Sequence, residues 1–207
     1  MNGRSRTASI LVLVAVCGAL ALGWRQFRLT TLSDTELQLR HPSGYTLLTP
    51  ADYKVLSSFL GAQDEVRVGF RRGESIIAPL TTTFKSPMAD RQWMKSQLLE
   101  LRDDTLAQFD RCSRQSAVVA PQFSISSPYK IGTFEEVGDL DRLYARYPQA
   151  NGFVEFSCVA YSADSSQALF WVERHGKDDA ALGMFVLMIK NNSGQWAIAN
   201  EMICFVA

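Results

Sequence analysis

The chain has 207 residues, of which 47% are hydrophobic and 20% charged, which suits one globular domain and an additional apolar segment. Its formal net charge is zero, but four arginines precede the first acidic residue, Asp34, and the remainder has 17 basic and 21 acidic side chains, a net charge of −4. A mildly acidic domain lacks the basic face that neutralises phosphates, so the composition argues against a nucleic-acid-binding protein.

An apolar segment at residues 7–24 contains no charged side chain and has arginines on both sides. About 20 apolar residues cross a bilayer, and about 17 are the lower limit, so the segment predicts an uncleaved transmembrane helix with Trp24 and Phe27 at the interface. Two alternatives remain open: Ala19-Leu20-Ala21 matches a signal-peptide cleavage site, and Cys17 could carry a lipid, although a bulky valine precedes it. All three predict export of the rest of the chain.

The predicted membrane segment also determines the predicted domain organisation. We predict that residues 1–28 are a membrane anchor or signal peptide, that residues 29–44 are a linker, and that residues 45–207 form a single extracytoplasmic domain. In the domain, Thr49 and Pro50 start a helix whose apolar spacing continues to Gly61, where we predict its end. Residues 65–70 alternate as a strand does. The next β-rich run contains Pro79, which restricts it to a sheet edge or a bulge.

Two more helical patterns follow. Residues 90–115 have apolar residues at helical spacing, with a predicted break near Asp103-Asp104, and residues 134–148 predict a short helix ended by Pro148.

The last quarter of the chain is rich in Val, Ile, Phe and Trp and divides into four β segments, at residues 152–162, 167–175, 182–190 and 195–207. The short connections between them favour antiparallel neighbours. Helices followed by a strand meander predict an α+β fold, with the helices packed on one face of an antiparallel sheet and a C-terminal four-strand meander.

This order of elements resembles a group of uncharacterised bacterial extracytoplasmic proteins, from residue 45 to the C-terminus. The resemblance is carried by Asp52-Tyr53, Tyr147-Pro148, Gly152, Ser157, Asp164, Ala168-Leu169, Gly183 and Gly194-x-Trp196. It implies the fold and an exported location, but no activity. Many members have a pair of cysteines at the hairpin tip, where this chain has residues 175–179. No redox or metal-binding function of such a cysteine pair can therefore be inferred for this chain.

That hairpin tip contains the sequence His-Gly-Lys-Asp-Asp. His175 could act as a base oriented by Asp178 or Asp179, and the same three side chains could bind a metal ion, although a fourth ligand is missing. The simpler interpretation is a polar hairpin connection with Gly176 in the turn and Gly183 at the start of the next strand. We favour the hairpin.

Other candidate sites are weaker. His41 beside Ser43 lies in the linker, where neighbours seldom form a working pair. The acids Glu135, Glu136, Asp139 and Asp141 favour a solvated helix face and cap over a glycosidase pair, which needs two carboxylates across a cleft. Trp171 and Trp196 favour core packing over a stacking platform for a ligand. No catalytic, cofactor-binding or metal-binding residue is therefore assigned, and no cofactor is expected.

Three cysteines lie beyond the apolar segment, an odd number for an oxidising compartment. Cys158 and Cys204 share strand faces with apolar residues, and a meander places their strands at opposite edges of the sheet. We expect both to be buried free thiols and Cys112 to be the more exposed cysteine, although a disulfide remains an alternative.

The missing catalytic pattern favours a non-enzymatic domain of the bacterial envelope that is attached to the membrane, or secreted, and binds a protein or another envelope component. The alternative is an extracytoplasmic hydrolase whose polar residues gather only in three dimensions. A deep cleft with His175 and a nearby acid would favour the hydrolase, and a shallow groove would favour binding.

Overall fold

The structure is a computed structural model, and it describes residues 45–66, 74–83, 91–176 and 180–206. The apolar segment, the linker, His41, Asp178 and Asp179 lie outside these ranges. Residues 44–207 belong to one compact unit. Within the described ranges, no helix combines the length and the apolar character needed to cross a bilayer.

The described residues form five helices and nine strands. The helices are α1 (Pro50–Val66), α2 (Arg91–Gln97), α3 (Asp103–Cys112), α4 (Phe134–Val137) and α5 (Leu140–Arg146). The strands are β1 (Thr46–Leu47), β2 (Glu74–Ile77), β3 (Ala117–Val118), β4 (Tyr129–Ile131), β5 (Ala150–Phe156), β6 (Ala160–Tyr161), β7 (Gln167–His175), β8 (Ala181–Lys190) and β9 (Trp196–Val206).

Seven of the strands form one mixed sheet in the order β4-β2-β5-β7-β8-β9, with β6 paired to β7. The C-terminal part is antiparallel: β5 pairs with β7, β7 with β8 and β8 with β9. This confirms the antiparallel arrangement predicted for that part of the chain. The other half differs from the prediction, because β2 pairs in parallel with both β4 and β5. Strands β1 and β3 form a separate parallel pair.

The helices cover both faces of the sheet, so the prediction of helices on one face is wrong. Phe170 and its neighbour Trp171 on β7 point to opposite faces. On one face, Phe59 of α1 packs edge-on against Phe170, with ring centroids 5.4 Å apart. On the other face, Phe109 of α3 packs against the ring of Phe185, which also contacts Trp171. Strand β7 is buried on both sides from Gln167 to Val172, as expected for a strand between two layers of helices.

Helix α1 continues past Gly61 to Val66, so Gly61 does not end it and Glu65 and Val66 are helical rather than part of a strand. The glycines of the described residues with positive φ are Gly152 and Gly194, so Gly61 has no left-handed cap conformation. A Cβ at Gly61 would contact nothing within 4 Å. The rest of the predicted strand at 65–70 lies outside the described residues.

The break predicted near Asp103 is present between α2 and α3. The side chain of Gln167 on β7 accepts a hydrogen bond from the N–H of Arg102 (3.0 Å) and donates one to the C=O of Glu100 (2.8 Å). These two bonds supply hydrogen-bond partners for an N–H and a C=O group that have no partner within a helix where the helix is interrupted.

The helix predicted at residues 134–148 is also divided in two. Thr133 and Glu136 form a capping box at the start of α4, and Asp139 accepts a hydrogen bond from the N–H of Arg142 at the start of α5. Two capping residues six positions apart favour two short helices over one long helix.

Pro79 does not place its strand at an edge. Strand β2 ends at Ile77, two residues before the proline, and it has strand neighbours on both sides. The missing N–H of Pro79 therefore removes no bond from the ladder.

Cys112 at the end of α3 and Cys158 just after β5 form a disulfide, with their Cα atoms 5.9 Å apart. The expectation of a free thiol at Cys158 is wrong because α3 packs on the sheet face to which Cys158 points, a position that strand counting alone does not give. Cys204 is free, as expected, but exposed rather than buried.

Strand β9 forms one edge of the described sheet, and its pairing with β8 is irregular. The register shifts between Gly183 and Met184 and again between Leu187 and Met188. Gly183 lies under two rings: a Cβ at this position would lie 2.4 Å from Cζ2 of Trp171 and 2.3 Å from Cε1 of Phe205. The sheet packs here only because residue 183 has no side chain.

Candidate functional site

His175 lies at the end of β7 in a cluster with two carboxylates. Glu173 is two residues earlier on the same strand, so it shares the face of His175, and Glu155 of β5 is directly opposite Glu173 in the ladder. Nε2 of His175 is 3.2 Å from Oε1 of Glu173. One ligand atom from each of the three side chains lies within 4.8 Å of the other two. We call these three residues the His175 cluster.

Neighbouring residues fix the orientation of the cluster. The imidazole of His175 stacks on the ring of Phe153, with centroids 4.4 Å apart and planes 13° apart. The indole Nε1–H of Trp171 donates to Oε2 of Glu173 at 3.3 Å. Gly152 has φ +114°, and a Cβ there would lie 1.7 Å from the carbonyl oxygen of His175. The β5 backbone therefore approaches His175 more closely than any other residue type would allow.

Partial burial shifts the pKa values of Glu155 and His175 in the His175 cluster. Burial raises the pKa of Glu155, and the negative charge of Glu173 raises it further. Burial lowers the pKa of His175, and Glu173 opposes that shift. A neutral imidazole beside a carboxylate can accept a proton or donate a lone pair to a metal ion.

The pairing of His175 with Asp178 or Asp179 stays a prediction, and within the described residues two other acids approach the imidazole. Asp178 and Asp179 lie outside the described residues, and the acids that approach His175 are Glu173 and Glu155. The spacing of Glu173 and His175 along a strand could have revealed their shared face. The contribution of Glu155 depends on strand register, which the sequence does not give.

A second candidate site is a groove of about 670 Å³ between α1, the segment after β3 and the β8–β9 turn. We call it the α1–β9 groove. It is lined by Pro50, Tyr53, Lys54, Ser57, Ser58, Gln122, Ser124, Gly194, Gln195 and Trp196. Most of these residues carry a hydroxyl or amide group, one carries an indole ring, and Lys54 is the only one of those named that has a formal charge.

The two strand tryptophans have different surroundings. Trp171 is 1% exposed and lies in the core, as expected. Trp196 is half-buried and lines the α1–β9 groove, so the core interpretation is wrong for it. Nζ of Lys190 is 4.8 Å from the centroid of the Trp196 ring, and the ring of Tyr161 is at 6.1 Å. These two neighbours hold the indole in position beside the groove.

Several residues that the sequence analysis named for their pattern have structural roles. Asp52 accepts hydrogen bonds from the N–H and hydroxyl of Thr49 at the start of α1 and from the hydroxyl of Tyr161 at 2.9 Å. The hydroxyl of Tyr53 accepts from the N–H of Ala120 at 2.6 Å. Burial and the neighbouring Asp52 raise the pKa of Tyr161, and burial raises that of Tyr53 to about 12. Both phenols therefore remain protonated and connect α1 to β6 and to the segment after β3.

Ser157 and Asp164 also organise the backbone. The hydroxyl of Ser157 accepts from the N–H of Trp171 and donates to the C=O of Cys158, which joins the end of β5 to β7. Asp164 accepts hydrogen bonds from Arg102 and from the hydroxyls of Ser162 and Ser166, so it connects the β6–β7 turn to the start of α3.

Two of the four helical acids, Glu136 and Asp139, have structural contacts. Asp139 caps α5, as predicted. Glu136 is buried rather than solvated: it belongs to the α4 capping box, its Oε1 is 3.0 Å from Nη1 of Arg146, and its Oε2 accepts from the hydroxyl of Tyr147. This network joins α4 to the end of α5.

No protein-family model matches the chain, and neither the curated proteins nor the solved structures contain a significant match to it.

Proposed function

We propose that this chain is an exported, membrane-anchored binding domain of the bacterial cell envelope, and that it holds its ligand in the α1–β9 groove. The observation that carries the proposal is the groove itself, which presents one indole ring among hydroxyls and amides. Such a lining binds a ligand that is apolar on one face and rich in hydroxyl groups at its edges. An oligosaccharide, which the cell envelope supplies in quantity, has this chemistry.

Two observations support the location. The apolar segment at residues 7–24 has the length and flanking arginines of a membrane anchor. The disulfide between Cys112 and Cys158 is typical of proteins in an oxidising compartment. The resemblance to bacterial extracytoplasmic proteins agrees with both. Membrane fractionation, followed by protease treatment of spheroplasts, tests the location: a chain that resists protease until the membrane is dissolved would refute export.

Binding is tested by titrating the full chain, in detergent, with N-acetylglucosamine and glucose oligomers while tryptophan fluorescence is recorded. We expect Trp196→Ala to weaken binding about thirtyfold or more, because loss of a central aromatic contact costs about 2 kcal/mol or more at a binding hot spot. Trp93→Ala is the matched control, since Trp93 is 43% exposed and does not line the groove. No binding by any oligomer, or equal weakening by both substitutions, would refute the proposal.

A hydrolase is the second candidate, and the His175–Glu173 contact favours it. A histidine 3.2 Å from a carboxylate oxygen is the arrangement in which an acid orients a general base. His175 does not line the α1–β9 groove, so a hydrolytic site would be separate from the binding groove.

A further inference from the structure

We propose that Glu155, Glu173 and His175 form a binding site for a divalent transition-metal ion, for which Zn²⁺ is the best probe. The ligand set is one imidazole nitrogen and two carboxylate groups. Imidazole favours zinc and the later transition metals over Mg²⁺ and Ca²⁺, which prefer oxygen ligands alone.

The distances suit one small ion. Ligands at about 2.0–2.1 Å from a tetrahedral zinc lie about 3.3 Å from each other. Nε2 of His175 and Oε1 of Glu173 are 3.2 Å apart. The atoms of the full set are within 4.8 Å of one another, so binding of one ion would draw the Glu155 carboxylate closer to the other two ligands.

The surroundings supply the contacts that normally support a metal ligand. The Trp171 indole N–H donates to Oε2 of Glu173, which leaves Oε1 directed at the site. Stacking on Phe153 fixes the plane of the His175 imidazole. Contacts of this kind orient ligands and are worth about 10–100-fold in metal affinity.

Charge also favours a cation here. Glu155 and Glu173 are directly opposite each other on neighbouring strands, an arrangement that destabilises a sheet when both are negative. Among the described residues, neither carboxylate forms an ion pair with a lysine or an arginine. A divalent ion would remove the repulsion between them.

The site is open to solvent. The side chains of His175 and Glu173 are 27% and 24% exposed, so an ion can enter without unfolding of the sheet. Three protein ligands leave one or more positions for water, which is the arrangement of hydrolytic rather than structural zinc sites. A bound ion would therefore strengthen the hydrolase alternative, while the α1–β9 groove is tested separately.

The test is Zn²⁺ binding by the full chain in detergent, after removal of any affinity tag, measured by competition with a chromophoric chelator. We expect one equivalent of Zn²⁺, and visible absorption bands on addition of Co²⁺ in its place. Glu155→Gln and His175→Gln should each weaken binding about tenfold or more. Two controls should bind like the wild type: Glu100→Gln, an exposed carboxylate elsewhere, and Cys204→Ser, which removes the exposed thiol.

Thermal unfolding separates a metal ligand from a merely structural residue. Without metal, Glu155→Gln should melt at or above the wild-type temperature, because the substitution removes the repulsion with Glu173. With Zn²⁺ the wild type should melt at the higher temperature, since it binds the ion more tightly than Glu155→Gln and is therefore stabilised more. Absence of stoichiometric binding, unchanged affinity in both cluster variants, or loss of binding in Cys204→Ser would overturn the proposal.

Discussion

Removal of the disulfide between Cys112 and Cys158 should lower the melting temperature substantially. The bond closes a loop with a sequence separation of 46 residues. The chain-entropy relation gives about 4 kcal/mol of stabilisation at 25 °C for a loop of this length. For a domain of 150–250 residues, each kcal/mol shifts the melting temperature by about 2–4 °C, so we expect a decrease of about 8–16 °C.

The assay compares the wild type and the double variant Cys112→Ala/Cys158→Ala, each with and without reductant, by thermal circular dichroism. Reductant should destabilise the wild type to nearly the level of the variant and leave the variant unchanged. Cys204→Ser is the control and should respond to reductant like the wild type, because Cys204 is not bonded. Peptide mapping after alkylation in denaturant should find Cys112 and Cys158 unmodified. Alkylation of both residues, or equal melting temperatures for wild type and double variant, would refute the reasoning.

Three further predictions concern single residues. Gly152→Ala should destabilise the domain by about 1–3 kcal/mol, since its positive φ disfavours any side chain and the new Cβ would collide with the His175 carbonyl; a urea midpoint equal to the wild type would contradict this. Trp171→Ala should cost about 3–5 kcal/mol in urea unfolding, because it empties a site that is 1% exposed; a change under about 1 kcal/mol would show that the core is packed differently. Hydrogen bonds from Arg102 and two serines lower the pKa of Asp164, so the ionised carboxylate stabilises the folded domain above about pH 5, and this stabilisation is lost as the pH falls toward the native pKa. The difference in melting temperature between the wild type and Asp164→Asn should therefore shrink as the pH is lowered, and a constant difference would exclude the mechanism.

The parts of the fold that sequence patterns predict well are local. Thr49 and Pro50 mark the start of α1, and short polar connections mark the antiparallel strands β7, β8 and β9, because capping and turn chemistry involve residues close in the chain. The presence of helices on both faces of the sheet also has a local signal, in strand β7. Strand β7 is apolar from Ala168 to Val172 without alternation, which is the signal of a strand buried on both faces, and that signal predicts helices on two sides of the sheet.

The site depends on register and packing, which no local pattern encodes. His175 stands out in the sequence because histidine is rare here, with two in the chain. Its partner Glu155 is 20 positions away and meets Glu173 only through the pairing of β5 with β7, which also contains the Gly152 irregularity. Cys112 and Cys158 likewise meet only because α3 packs on the sheet face formed by β6 and β7.

The irregular pairing of β8 with β9 affects how copies of this protein behave at high concentration. A long edge strand is a template for another chain, and β9 is 11 residues long, with Ile203 and Val206 exposed by 58% and 74%. Each register shift bends the strand and increases its local twist, so the outer edge of β9 is not a straight row of donors and acceptors. A second β9 could pair in register over only part of its length. Among the described residues, the two register shifts thus limit the straight edge open to a second chain, in a strand whose single charged side chain, Glu201, gives little repulsion.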